Sequence, residues 1–107
     1  MRSTIAQVWT PPMATDTHER VSARITGRVQ GVGFRNFTQT KARRLGVTGW
    51  VRNEPDGSVR LEAEGPHEKL SELVEAVHEG PRLASVEEVD TDWTDASDDF
   101  EVFKVRR

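Results

Sequence analysis

"VSARITGRVQGVGFRNFTQTKARRLG", residues Val21 to Gly46, decides how the rest of the chain has to be arranged. Over its first nine residues Val21, Ala23, Ile25, Gly27 and Val29 alternate with Ser22, Arg24, Thr26 and Arg28, the period of two that marks a strand with one buried face. Beyond the glycines the period changes. Phe34, Phe37, Thr38, Ala42 and Leu45 fall on one side of a helix, Lys41, Arg43 and Arg44 lie elsewhere, and Gly46 stops it. Between strand and helix there is room only for a tight glycine turn. An amphipathic helix that follows a half-buried strand needs a sheet to cover its apolar stripe.

The remaining elements supply that sheet. Val47 to Asn53 alternates again, Pro55, Asp56 and Gly57 stand where a hairpin turn wants them, and Val59, Leu61 and Ala63 form the returning strand. Gly65 and Pro66 open a second helix in which Leu70, Leu73, Val74 and Val77 make the apolar stripe and Glu68, Glu72, Glu75 and Glu79 face outward. Gly80 and Pro81 end it. Ala84 to Trp93 reads as a strand in which Val86 and Val89 break the alternation, which predicts a bulge. Thr94 to Asp99 is expected to turn, and Phe100 to Val105 to form a short last strand. The order βαββαβ plus a short C-terminal strand predicts an α+β, ferredoxin-like α/β sandwich: an antiparallel sheet with two helices on one face. Residues 1–20 hold a Pro-Pro pair and no sustained period, and are expected to be a flexible N-terminal extension in which Met13 is a second possible start; residues 21–107 form the domain.

Composition limits what such a domain can do. The 107 residues suffice for one domain with a modest core. No run approaches the roughly 20 apolar residues of a membrane span, so no membrane role is expected and the location is read as cytoplasmic. With no cysteine, disulfides, thiolate nucleophiles and cysteine-bound metals are excluded. The net charge of −3 conceals an asymmetry: residues 1–55 carry nine Lys/Arg against three Asp/Glu, and residues 56–107 carry six against fifteen. The basic residues are interleaved with apolar ones and no aromatic stacking run accompanies them, so nucleic acid is not an expected partner. His18, His67 and His78 lack metal-ligand spacing, and no metal is expected. After core assignment no large apolar patch is left, so a monomer is expected.

The glycine turn carries the one chemical signal. A strand running through "QGVGFR" into a helix exposes backbone N–H groups where the helix dipole favours an anion, and glycine lets that backbone wrap closely. Arg35 adds a planar, permanently charged fork that matches two oxygens of a phosphoryl group. The phosphate-loop spacing GxxxxGK[ST] and the dinucleotide spacing GxGxxG are both missing. On the residues alone, an anion cradle and a plain structural turn remain equally open.

The longer stretch "GRVQGVGFRNFTQTKARRLGVTGWVRNEPDGSV", Gly27 to Val59, resembles the acylphosphatase family, with its loop, its arginine and a strand ending "GWVRN". The order of elements from Val21 onward is similar too. The resemblance implies an enzyme that hydrolyses acyl phosphates to a carboxylate and inorganic phosphate without metal or cofactor. It assigns phosphate binding to Arg35 with the loop of Gln30, Gly31, Val32, Gly33 and Phe34, and the orientation of the attacking water to Asn53. A small-molecule acyl phosphate is then the only partner expected. Gly33 departs from the pattern, because some family members carry a bulkier residue there. Two other readings stand beside this one: a non-catalytic module that binds phosphate or carbamoyl phosphate, and an RNA- or protein-binding domain, which would need exposed aromatics on the sheet, where Trp50 is the main candidate.

Overall fold

The computed structural model describes residues 18–107. Five strands and two helices follow in the order β1 (His18–Arg28), α1 (Phe34–Leu45), β2 (Thr48–Asn53), β3 (Val59–Pro66), α2 (His67–Glu79), β4 (Ser85–Asp95) and β5 (Phe103–Arg106). They build one sheet of spatial order β4-β1-β3-β2-β5, with both helices against one face. The alternation in β1 does what its period requires. Val21, Ala23 and Ile25 are buried on the helix side, while Ser22 and Arg24 point to the open face. Phe34, Thr38 and Ala42 from α1 and Leu70, Leu73 and Val77 from α2 close the core over Val51, Val59, Leu61 and Ala63.

Helix ends follow from their residues. Gly46 takes φ +77°, its amide bonds to the Arg43 carbonyl, and the Val47 amide bonds to Ala42, the paired closure that glycine favours after a last helical turn. The suspected bulge is present. Thr26 pairs with Glu88 and Gly27 with Val86, so Glu87 is the extra residue on β4, and Val86 and Val89 both reach the core.

Four differences from the sequence reading have clear causes. β1 begins at His18, because His18, Glu19 and Arg20 pair with Pro66, Gly65 and Glu64; three residues of the expected extension therefore belong to the sheet. The other residues of that extension, Met13 among them, lie outside the described residues. Thr94 and Asp95 extend β4 against Arg20 and Glu19 instead of turning. β5 starts at Phe103, not at Phe100, whose ring packs 4.8 Å from the Arg20 guanidinium carbon. Finally, the sheet is mixed: β5 runs parallel to β2, with Gly49 beside Phe103 and Val51 beside Val105. β4 ends at the end of the sheet where β2 begins, so a crossover along that end delivers β5 in the direction of β2.

That crossover, residues 96–102, is pinned from below. Glu64 lies on the open face of β3, 3 % exposed, and accepts the amides of Ser97 and Asp98, both at 2.9 Å. Arg20 Nε stands 2.9 Å from the same carboxylate. Burial pushes the Glu64 carboxyl up, but the Ser97 amide and hydroxyl, the Asp98 amide and the Arg20 charge outweigh it and hold the group below its ordinary range.

Candidate active site

The opposite end of the sheet is where β1, β2 and β5 finish and α1 starts. Residues 29–33 turn there with Gly31 at φ +74° and Gly33 at φ +82°, conformations that L side chains adopt only at a cost. Gly33 caps α1 without any side-chain bond, and the first turn of the helix contains no acidic residue. The first amide to bond back is that of Phe37, to the Gly33 carbonyl at 3.0 Å. The amides of Phe34, Arg35 and Asn36 therefore precede the helical ladder and, with the dipole behind them, face whatever lies in front of the turn.

In front of it is a cavity of about 160 Å³ lined by Val29, Gly31, Gly33, Phe34, Arg35, Asn36, Asn53 and Val105. The structure thus brings the expected pair, Arg35 and Asn53, to one cavity with Gly31, Gly33 and Phe34. Arg35 comes from the first turn of α1, and its Nη1 donates to the Arg106 carbonyl at 3.5 Å. Among the described residues no carboxylate lies within 4.0 Å of its guanidinium. Asn53 is the last residue of β2, on the helix-facing parity of Gly49 and Val51, and is half-buried. The Phe34 ring is 2 % exposed and fixes the start of the helix in the core.

Gln30 and Val32 have other employment. The Gln30 carboxamide donates to the carbonyls of Glu54 and Ser58, each at 2.8 Å, tying the loop to the β2–β3 hairpin that carries Asn53. The Val32 side chain packs against the core. Neither side chain lines the cavity, and what the two residues can offer an anion is backbone. Three wall residues were not expected. Val29 continues the buried parity of β1, Asn36 follows Arg35 in the exposed first turn, and Val105 enters through the parallel β5, which the sequence pattern does not reveal.

No His, Asp or Glu lines this cavity. His67 lies on Glu19 at 2.9 Å, His78 on the Val74 carbonyl at 3.1 Å and His18 3.9 Å from Asp98. Among the described residues no group of three or more His, Cys, Asp or Glu stands in metal-ligand proximity. The arrangement can do one kind of chemistry well: hold a small oxyanion in amides and a guanidinium, with a carboxamide across the gap.

The acylphosphatase family model matches residues 21–105, from the first core residue of β1 to the cavity wall of β5. The chain belongs to the acylphosphatase family. It is 75 % identical over 95 residues to an acylphosphatase of Salinibacter ruber, covering 89 % of this chain and all of the relative. The crystal structure of acylphosphatase from Bacillus subtilis superposes with a TM-score of 0.81 at 35 % identity, over 83 % of this chain and 99 % of that one. An acylphosphatase from Coxiella burnetii gives 0.79 and 36 %, over 84 % of this chain and 94 % of that one. These relatives make the chain an enzyme, a hydrolase acting on acyl phosphates, and do not favour the non-catalytic module.

Proposed function

We propose that the loop amides and Arg35 bind the phosphoryl group of the acyl phosphate and that Asn53 directs the attacking water, in a monomer that works in the cytoplasm. The observation that carries the reading is the single cavity lined by Gly31, Gly33 and Arg35 on one side and by Asn53 on the other.

The chemistry asks for little else. Water adds to phosphorus in line, the bond from phosphorus to the acyl oxygen breaks, and a carboxylate leaves with that electron pair. A carboxylate is stable as it departs, so no general acid is required. The charge that spreads over the phosphoryl oxygens meets amide hydrogens and a guanidinium already fixed in place by the α1 terminus. The Asn53 carboxamide accepts from the water with its oxygen and holds it opposite the leaving group. The water's proton goes to a phosphoryl oxygen of the substrate, since the cavity wall contains no carboxylate or imidazole.

The nucleic-acid alternative loses its platform, because Trp50 is 7 % exposed and lies beneath two guanidinium groups. No helix is long and apolar enough to cross a membrane among the described residues. The site reading is tested by steady-state hydrolysis of benzoyl phosphate in the presence of a chelator. Arg35→Ala and Asn53→Ala are each expected to lose about a hundredfold or more. Normal turnover by Asn53→Ala would refute its role in water positioning.

A further inference from the structure

Trp50 has no place in this chemistry, yet it is joined to it through the sheet. It stands on the face of β2 opposite the cavity. The guanidinium carbons of Arg52 and Arg106 each lie 4.9 Å from the centre of its ring. Arg52 and Arg106 are also direct neighbours across the β2–β5 pair, a placement that puts like charges side by side and is unfavourable by itself. The ring offsets that repulsion for both. Glu54 takes up Arg52 in addition, whereas among the described residues Arg106 has no carboxylate within 4.0 Å.

The anchoring of β5 is therefore divided. At its start Phe103 is buried, and its carbonyl accepts Arg43 Nε at 3.2 Å and Gln39 Nε2 at 3.5 Å. At its other end the four-residue edge strand has the half-buried Val105 and the stack of Arg106 on Trp50. This second end is the one that matters to the site. Val105 lines the cavity, and the Arg106 carbonyl accepts from Arg35. A strand of four residues at the edge of a sheet, paired on one side only, opens locally unless it is tied down.

We propose that Trp50 and Arg106 are positioning residues: their stack on the open face fixes the end of β5 and, through the Arg106 carbonyl, the aim of the Arg35 guanidinium in the cavity on the other face. The inference rests on the assignment of Arg35 to phosphoryl binding. Every variant at 106 keeps the backbone carbonyl, so its effect reports the anchor and not the loss of the acceptor.

A double-mutant cycle separates this role from a general structural one. Benzoyl phosphate hydrolysis is measured for the wild type, Trp50→Leu, Arg106→Ala and Arg35→Ala, and for Trp50→Leu and Arg106→Ala each combined with Arg35→Ala, below the melting temperature of every variant. Trp50→Leu and Arg106→Ala are each expected to lower kcat/KM by roughly ten- to a hundredfold, the cost of a small misplacement, and to add less than about twofold once Arg35 is gone. Trp50→Phe restores most of the activity. Arg106→Lys, which keeps the charge without the planar stack, does not. Losses that multiply with Arg35→Ala, full rescue by Arg106→Lys, or unchanged activity in Arg106→Ala would each overturn the proposal. If Trp50→Leu does not fold, the variants at the exposed Arg106 carry the cycle alone. An active wild type with a fully active Arg35→Ala would instead overturn the assignment of Arg35 itself.

Discussion

Gly33 sits at φ +82°, and a Cβ built there meets nothing within 4 Å. The cost of a side chain at this position is therefore torsional and not steric. Gly33→Ala is expected to lose about 1 kcal/mol of stability, the ordinary price of a left-handed L residue, measured as a lower urea midpoint. Because the amide remains, kcat should change far less than in Arg35→Ala. A fall in kcat comparable to that of Arg35→Ala would mean that the loop's shape, and not its amides alone, sets the rate. The residues of the site differ in how visible they were in advance. Arg35 could be picked out from position as a candidate, since a guanidinium in the first turn after a glycine loop suits an anion, but a plain structural turn stayed equally open until the resemblance to a family was added. Asn53 could not, because an asparagine before "EPDG" reads as a turn residue, and only the resemblance to a family drew it into the site. The use of the Gln30 side chain was invisible, since the carbonyls it binds lie 24 and 28 residues further along the chain.

At the scale of elements, patterns with a period were legible and connections were not. Both helices and the bulge in β4 announced themselves through the spacing of apolar residues, because burial on one face leaves a mark in the sequence. The direction of β5 leaves no such mark: a strand of four residues has the same alternation whichever way it runs. What decides it is the crossover, and what holds the crossover is Glu64. Its folded pKa lies below the ordinary 4.5, so its contribution is complete above that pH and disappears as pH falls through the lower, folded value. Glu64→Gln is expected to cost about 2 kcal/mol at neutral pH, as for a hydrogen-bonded buried charge. The deficit should shrink as pH falls below the ordinary carboxylate range and through the lower, folded pKa of Glu64, and urea unfolding along an acid pH series checks this. A deficit independent of pH would show that shape, and not charge, pins residues 96–102.

Taken whole, the molecule separates its charges by location. Glu87, Glu88, Asp90, Asp92 and Asp95 lie along β4, the edge strand next to β1, and Glu68, Glu72, Glu75 and Glu79 lie on α2. Carboxylates along an unpaired edge oppose pairing with a second copy. Of the large apolar side chains, only Leu83 and Val102 are strongly exposed among the described residues, in separate turns. Sedimentation equilibrium should therefore return the monomer mass of 12.1 kDa across the working concentration range; a dimer would require a second contact surface. The asymmetry between the acidic and basic halves was plain in the sequence, but its assignment to one edge and one helix needed the strand order. Away from that edge and that helix, Arg35 is, among the described residues, the one basic side chain lining the cavity whose proposed occupant is a phosphoryl group. The most direct measurement is a crystal structure with a tetrahedral oxyanion such as phosphate or vanadate. The account predicts the anion bound by amides of the 30–35 loop and by both arms of the Arg35 fork, with a water held by Asn53 on the axis through the anion's centre. An anion bound elsewhere, or one in the loop with Asn53 turned away from it, would contradict it.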